Sequence, residues 1–152
     1  MALGWLTCAR IGCIAQLRRE DVVLHQSGNV SVTFRRGKAV RSRGPYTVHS
    51  RVPGQWRQLL NNQLQHNHPF TTSSAQVRDA LRTVDRRLEQ RSLRRGALQT
   101  LARAGVEEHD LLHFSGHTTL AMLRRYLDWG RVNNRRAEQQ ANYADALAPL
   151  AL

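Results

Sequence analysis

The helix predicted after Ser92 places a positive charge inside its apolar face. The apolar positions recur at the three- and four-residue intervals of a helix, and they are Leu93, Ala97, Leu98, Leu101 and Ala104. Arg94 falls between two of these positions, whereas Arg95 points away from them. A cation that faces a core is costly unless it is paired or bound to an anion. Arg94 is therefore expected to be paired within the protein or bound to an anion.

A second predicted helix, residues 5–17, repeats this anomaly near the N-terminus. Its apolar stripe consists of Leu6, Ala9, Cys13 and Leu17. Arg10 lies in the middle of that stripe, so two separate helices each direct an arginine toward the core. We expect the two cations to share one partner. The alternative is that each is paired within the protein. The candidate carboxylates for such pairs are Glu20, Asp21 and Glu107.

The segment 91–126 contains the groups needed to attack a phosphodiester. Arg91 and Arg94 are three residues apart in R-S-L-R-R, His117 ends S-G-H, and Tyr126 ends L-R-R-Y. An arginine fork can hold the non-bridging oxygens of a phosphate, and a tyrosine can serve as a covalent nucleophile. Each residue also has a purely structural interpretation. His117 could be a buried histidine at a helix-to-loop corner, and Tyr126 could be an ordinary packing tyrosine. Tyr126 is expected to be partly accessible, and Tyr46 and Tyr143 are expected to be packing residues.

This order of residues resembles the catalytic domain of the tyrosine recombinases, the family of phage integrases and related mobile-element enzymes. Residues 9–22, A-R-I-G-C-I-A-Q-L-R-R-E-D-V, resemble the family segment that carries its first arginine on a helix. F-R-R-G-K-A-V resembles the β-hairpin that carries the family's lysine. The resemblance covers about residues 5–130, and the positions that carry over are Arg10, Lys38, Arg94, His117 and Tyr126.

Two positions depart from the family pattern. Arg91 falls where the family usually has a histidine, and Cys13 falls where it often has an acidic residue. Arg91 cannot act as a general base, because a guanidinium does not lose its proton in proteins. It is kept as a catalytic candidate only as a fixed positive charge.

The resemblance implies site-specific DNA strand exchange through a 3′-phosphotyrosyl intermediate, with neither metal nor cofactor. Tyr126 would attack the scissile phosphate, and Arg10 and Arg94 would stabilise the developing charge, with His117 as a further donor. Lys38 would protonate the departing 5′-oxygen. Double-stranded DNA is the implied partner.

Composition supports a polyanionic partner by an independent route. The net charge is +12 over 152 residues, which suits a nucleic-acid binder but would also suit a solvated basic surface. The chain has 22 arginines and a single lysine, Lys38. The arginines expected to contact nucleic acid are Arg35, Arg36, Arg41, Arg43, Arg95, Arg124 and Arg125.

The predicted fold class is α+β and mostly helical, with a small antiparallel sheet of about three strands. Alternation predicts strands at 22–25, 30–34 and 46–49, with the last two joined near Gly37 and Lys38. Helices are predicted at 55–65 and after a cap at Ser73 or Ser74. The apolar face of the second of these helices consists of Val77, Leu81, Val84 and Leu88.

The predicted domain organisation is a catalytic domain at 1–130, without the family's first helices and N-terminal clamp domain, and a C-terminal helix and tail at 131–152. The family docks such a helix, here 132–147, on a neighbouring protomer, so a DNA-bound homo-oligomer is expected, a tetramer in the family. The expected location is intracellular and DNA-associated, in a nucleus or a nucleoid, with no membrane segment.

Other residues give weaker signals. His66 and His68 lie in a polar loop without matched acidic ligands, so no metal site is expected there. Cys8 and Cys13 are expected on different sides of a helix, where they would not pair.

Two further functions remain open. The chain could be a catalytically inactive DNA-binding remnant of a mobile-element recombinase. It could also be an unrelated arginine-rich, RNA-associated helical protein. The second has less support, because the nine aromatic residues (three each of Trp, Tyr and Phe) do not cluster into a stacking platform.

Overall fold

The computed structural model describes residues 1–127, without the side chain of Tyr126. The predicted C-terminal helix and Tyr143 lie outside the described residues. The described helices are α1 Ala2–Thr7, α2 Ile11–Ile14, α3 Lys38–Arg43, α4 Gly54–Gln63, α5 Ser74–Arg82, α6 Gln90–Arg103, α7 Glu108–Ser115 and α8 Leu120–Leu127. The strands are β1 Val22–Leu24, β2 Asn29–Phe34 and β3 Tyr46–Arg51, and a 3₁₀ turn, Arg19–Asp21, precedes β1. The predicted class, mostly helical with a three-stranded sheet, is confirmed.

The sheet is antiparallel throughout, in the order β1-β2-β3. Val32 pairs with Val22 on one side and with Val48 on the other, so the three valines form one row across the sheet. All three are buried. Because side chains alternate between the two faces of a strand, this row marks the face that packs on the core. The alternation in the sequence therefore predicted the strands, and the structure shows that the valine row is their buried face.

The predicted helix over residues 5–17 is wrong, because the chain breaks it into α1 and α2. Cys8 adopts a left-handed conformation, with φ 54°, and its N–H bonds to Trp5 O at 3.4 Å, which ends α1. Arg10 is extended and stands immediately before α2, whose first residue is Ile11. The break moves Arg10 from the middle of a helical face to the beginning of a helix. A left-handed residue other than glycine is uncommon, so sequence patterning does not reveal it.

The connection between β2 and β3 is longer than the predicted hairpin. The strands pair as far as Phe34 and Tyr46, and residues 35–45 between them contain α3. Lys38 is the first residue of this helix, not the tip of a turn. Gly37 precedes the helix with φ 106°, a conformation that strongly favours glycine.

The helix after Ser73 begins as predicted but ends early. Ser73 Oγ accepts from Gln76 N at 3.1 Å, and Gln76 Oε1 accepts from Ser73 N at 2.8 Å. This reciprocal pair satisfies N–H groups that a helix start leaves free. The helix ends at Arg82, so Val84 and Leu88 lie outside it, and Val84 is 83% exposed. The preceding prediction, a helix at 55–65, agrees with α4.

Two apolar clusters form the core of the described residues. One joins the inner face of the sheet to α1, α2 and α4, and the other joins α6, α7 and α8. Leu98 of α6, Leu111 of α7 and Leu123 of α8 are almost fully buried in the second cluster. Both cysteines are buried and free, and they do not share the one helix on which they were expected, because Cys8 ends α1 and Cys13 lies in α2. No helix within residues 1–127 has the length and apolar character that crossing a membrane requires.

Candidate active site

A cavity of about 490 Å³ is lined by four separate segments of the chain, and three of them supply cations. Residues before α2, at the start of α3 and at the starts of α5 and α6 line it. The basic residues in its lining are Arg10, Lys38, Arg41, Arg91 and Arg94. Four of the six predicted catalytic residues therefore share one cavity, although they are up to 84 positions apart in sequence.

The charges around this cavity are not balanced by acids. No aspartate or glutamate is among its lining residues. Within residues 1–127, Arg10, Lys38, Arg41 and Arg91 make no ion pair, whereas arginines elsewhere, such as Arg87 with Asp85, do. A concave surface with one sign of charge concentrates the local potential. The cavity is therefore suited to an anion.

Arg94 is buried, 3% exposed, as its position on the apolar face predicted. Its Nη1 donates to Cys8 O at 2.9 Å. The left-handed turn at Cys8 thus lies against the guanidinium. Its Nη2 lies 3.1 Å from Nε2 and 3.4 Å from Nδ1 of His117, within reach of whichever ring nitrogen accepts. Arg95, the next residue, is exposed, which agrees with the same periodicity.

His117 stands directly after the end of α7. Gly116 closes the helix in the left-handed conformation with φ 65°, and the backbone N–H of His117 donates to Ser115 Oγ at 3.2 Å. The side chain is buried, 4% exposed. Burial, and then the nearby charges of Arg94 and Arg10, lower the pKa of His117 to about 3. The imidazole is therefore neutral at physiological pH.

Tyr126 belongs to α8, but its side chain is not among the described parts of the structure. The expectation that this side chain is partly accessible therefore stays a prediction. Two neighbours on the same helix, Leu123 and Leu127, are buried against Leu98 of α6. The helix that carries the tyrosine thus packs against the helix that carries Arg94.

The arginines expected to contact nucleic acid fall into different environments. Arg35 and Arg36 bind the buried carboxylate of Asp21, at 3.1 and 2.9 Å. Arg124 pairs with Glu108 at 3.1 Å. Arg41 lines the cavity, and the remaining three members of the set are Arg43, Arg95 and Arg125.

Arg43 contacts protein groups, and its Cζ lies 3.7 Å from the centre of the Tyr46 ring. Tyr46 itself stacks on Phe34, with ring centres 5.0 Å apart, so it is the packing tyrosine that was expected.

The structural role of Asp21 was not predicted from the sequence. The sequence suggested this carboxylate as a possible partner of Arg10 or Arg94, whereas Asp21 holds the two arginines that precede Gly37 and accepts from Arg18 N at 2.9 Å. An acid directly before an apolar strand is the only signal that the sequence offers. His66 and His68 are exposed, and no cluster of three or more His, Cys, Asp or Glu within residues 1–127 could hold a metal ion.

Comparison with known proteins gives matches at the level of structure. No protein-family model and no curated protein matches the sequence. The XerA recombinase superimposes with a TM-score of 0.66 at 16% identity, over 89% of this chain and 54% of that one. The XerH site-specific recombinase, bound to a palindromic difH substrate in a post-cleavage complex, superimposes with a TM-score of 0.70 at 16% identity. The match covers 94% of this chain and 44% of that one.

A transposon integrase extends these matches. The Tn1549 integrase, in complex with a circular intermediate DNA, gives a TM-score of 0.54 at 12% identity, over 88% of this chain and 56% of that one. The chain thus spans about half the length of these three structures, between 44% and 56%. At these identities the match establishes the fold. This chain has the fold of the catalytic domain of the tyrosine recombinases, as the sequence resemblance implied.

Proposed function

We propose that this chain is a DNA breaking-rejoining enzyme that exchanges strands site-specifically through a covalent link between Tyr126 and a 3′-phosphate. The observation that carries the proposal is the cavity shared by Arg10, Lys38, Arg91 and Arg94, which no acidic side chain lines. Since a water molecule takes about 30 Å³ of the liquid, a cavity of 490 Å³ has room for a phosphodiester and parts of its sugars. The fold matches solved recombinases and an integrase, which supports the same reaction class.

The proposed reaction makes one phosphoester bond for each one that it breaks. Tyr126 Oη attacks the phosphorus, the bond from phosphorus to the 5′-oxygen breaks, and the phenolic proton passes to water or to a base of the site. Lys38 Nζ gives a proton to the departing 5′-oxygen. The 5′-hydroxyl of a second strand then attacks the phosphotyrosine and restores the phenol. Because the bond energy is retained, no nucleotide hydrolysis is required.

Arg10 and Arg94 are assigned to the non-bridging oxygens, where negative charge builds up in the transition state. Arg94 is held in advance by Cys8 O, so little reorganisation is needed when a phosphate enters. His117 is a weak base, because its pKa is lowered to about 3. A bound phosphate would offset the field of the two arginines and raise that pKa, which lets His117 bond to the phosphate.

Arg91 is assigned as a fixed positive charge at the mouth of the site. It is exposed and lines the cavity. A permanently charged guanidinium can hold a phosphate oxygen or favour a tyrosinate, but it cannot accept the phenolic proton. Arg41, on the same face of the cavity as Lys38, is assigned to a flanking phosphate.

The proposed partner is double-stranded DNA, in a nucleoid or a nucleus. The exposed arginines outside the cavity, Arg95 and Arg125, are assigned to phosphates of the duplex. Synapsis of two sites would require a DNA-bound oligomer, a tetramer in the family, joined through the predicted helix at 132–147. Domain boundaries at 1–130 and 131–152 belong to the same proposal.

A nicked suicide duplex tests the proposal directly. Cleavage near the nick releases a short fragment that carries the 5′-hydroxyl, and without this hydroxyl the phosphotyrosine cannot be religated, so the covalent intermediate accumulates. The chain is incubated with such substrates and with a library of randomised duplexes, and the products are separated on a denaturing gel. We expect a protein band shifted by covalent DNA. Tyr126→Phe should abolish this band and keep DNA binding, whereas Tyr46→Phe, the matched control, should retain it.

The outcomes separate this proposal from its alternatives. DNA binding without any covalent band would identify a non-catalytic DNA-binding remnant. Preference for single-stranded RNA over duplex DNA would identify an RNA-associated protein. A covalent band that survives in Tyr126→Phe would show that another residue is the nucleophile.

A further inference from the structure

Helix α3, which begins with Lys38, is short and buries little of its own surface. It is six residues long, and Ala39 is its only buried residue. Glycines with positive φ stand on both sides, Gly37 with φ 106° and Gly44 with φ 84°. Short helices are marginal without tertiary contacts. Whatever positions Lys38 over the cavity must therefore come from outside α3.

Arg43, the last residue of α3, contacts groups outside the helix. Its guanidinium carbon lies 3.7 Å from the centre of the Tyr46 ring, and its Nη1 donates to Leu112 O at 3.3 Å. Leu112 is in the last turn of α7, where carbonyls carry partial negative charge and favour a cation. Nη2 of Arg43 is buried, and this burial lowers the pKa of the guanidinium.

The acceptor of Arg43 also organises the corner that presents His117. Leu112 O accepts from Gly116 N at 3.0 Å and from Ser115 Oγ at 3.2 Å. Ser115 Oγ in turn accepts from the backbone N–H of His117 at 3.2 Å. A continuous set of hydrogen bonds thus runs from the end of α3 to the backbone of His117.

A second contact joins the same two segments. A Cβ placed on Gly116 would lie 3.1 Å from the Cβ of Ala39 and 3.3 Å from the hydroxyl of Tyr46. The glycine therefore permits α3 and the strand after it to approach the corner closely. Lys38 is the neighbour of Ala39, and His117 is the neighbour of Gly116, so this contact lies one residue from each predicted catalytic side chain.

We infer that Arg43 is a positioning residue that latches the Lys38 helix to the corner carrying His117. The inference rests on the proposed function for its catalytic consequence, but the latch itself is a property of the fold. It gives Arg43 a task within the protein, where composition alone suggested a DNA contact. A lysine would not serve equally, because a planar guanidinium can stack on Tyr46 and donate to Leu112 O at once.

Hydrogen exchange tests the latch without any need for catalysis. Within α3, Arg41 N bonds to Gly37 O at 3.2 Å and Gly44 N bonds to Val40 O at 2.8 Å. In Arg43→Met these two amides should exchange at least about tenfold faster, as expected when a charged hydrogen bond is lost. Amides of α6 should be unchanged, which excludes global destabilisation. Arg43→Lys should give an intermediate rate.

Arg103→Met is the matched control, because it removes one charge at the far end of α6. Arg94 is the last residue of this helix that lines the cavity, and Arg103 lies nine residues further on, about 13 Å along the helix axis. The control should leave α3 exchange at the wild-type rate. Equal exchange of α3 in wild type and Arg43→Met would overturn the latch.

Cleavage chemistry tests the consequence for Lys38. On an ordinary nicked duplex, Arg43→Met should form the covalent complex about 10- to 100-fold more slowly, part of the about 10²- to 10⁴-fold that general acid catalysis contributes. A duplex with sulfur in place of the bridging 5′-oxygen has a leaving group that needs no proton, since thiols ionise near pH 8.5. On this substrate, Lys38→Ala and Arg43→Met should both approach the wild-type rate.

A failure of the proposed function can be distinguished from a failure of the inference about Arg43. If the wild-type chain gives no covalent complex, the proposed function falls, and hydrogen exchange still decides the latch. If wild type cleaves and sulfur rescues Lys38→Ala but not Arg43→Met, then Arg43 does not act through Lys38 and the positioning role is overturned.

Discussion

At the scale of single residues, the most informative group is His117. It is buried beside Arg94, and its pKa is lowered to about 3 from a usual 6.5, first by burial and then by Arg94 and Arg10. Between these two values the unfolded chain binds a proton that the folded chain excludes. Protonation therefore stabilises the unfolded chain, and the free energy of unfolding should fall as the pH falls from 6.5 toward 3. Above pH 6.5 the histidine is neutral in both the folded and the unfolded chain, so it does not lower the stability there.

Urea denaturation across this pH window measures the effect. His117→Gln should flatten the decline, because glutamine does not titrate. His66→Gln is the matched control, since His66 is exposed in a loop, and it should keep the wild-type slope. An undiminished slope in His117→Gln would mean that other groups cause the acid sensitivity.

Arg91 tests whether the cavity departs chemically from the family pattern. The unperturbed pKa of tyrosine is about 10, so a nucleophilic phenol needs activation at neutral pH. Because Arg91 cannot accept a proton, covalent complex formation should be slow at neutral pH and rise toward alkaline pH. Arg91→His should shift the rise to lower pH, measured as initial rates on a nicked duplex between pH 6 and 10. A flat profile, or a faster Arg91→Ala, would exclude Arg91 from the reaction.

At the scale of secondary-structure elements, α5 offers a stability test of the cavity wall. Ser73 and Gln76 cap the helix reciprocally, and Ser74, the next residue, lines the cavity. Ser73→Ala should lower the free energy of unfolding by about 1 kcal/mol, the usual cost of losing such a cap. Ser74→Ala is the matched control and should change it by less than about 0.5 kcal/mol. Chemical denaturation of both variants measures this, and equal effects would contradict the assignment of the cap.

The elements also show what sequence patterning can and cannot predict. Alternation predicted β2 and β3, and helical periodicity placed Arg94 inside the core face of α6, because both patterns follow directly from which side chains are buried. The break at Cys8 was missed because its left-handed backbone has no marker in the side chain.

Other features of the site depend on backbone atoms. The bonds from Arg94 to Cys8 O and from Arg43 to Leu112 O end on carbonyls, which every residue possesses, so no residue type signals them. The order of the family's residues predicted that Arg10, Lys38 and Arg94 would meet, and they line one cavity. Their catalytic roles stay predictions until the reaction is measured.

At the scale of the whole molecule, the distribution of charge matters more than its sum. The net charge is +12, but several arginines are compensated, such as Arg87, which bonds Asp85 through two nitrogens. Arg41, which lines the cavity, makes no ion pair within residues 1–127. A phosphate contact releases bound counterions, so uncompensated arginines should govern how DNA affinity depends on salt.

Affinity for a duplex should therefore fall linearly on a plot of log K against log salt. Arg41→Gln should weaken binding at low salt and reduce the slope by about 0.9, the value for one phosphate contact. Arg87→Gln, which removes the same charge from a compensated position, should leave the slope nearly unchanged. Fluorescence anisotropy with a labelled duplex between about 50 and 200 mM salt measures both. Equal slopes for wild type and Arg41→Gln would show that Arg41 does not contact a phosphate of the bound duplex.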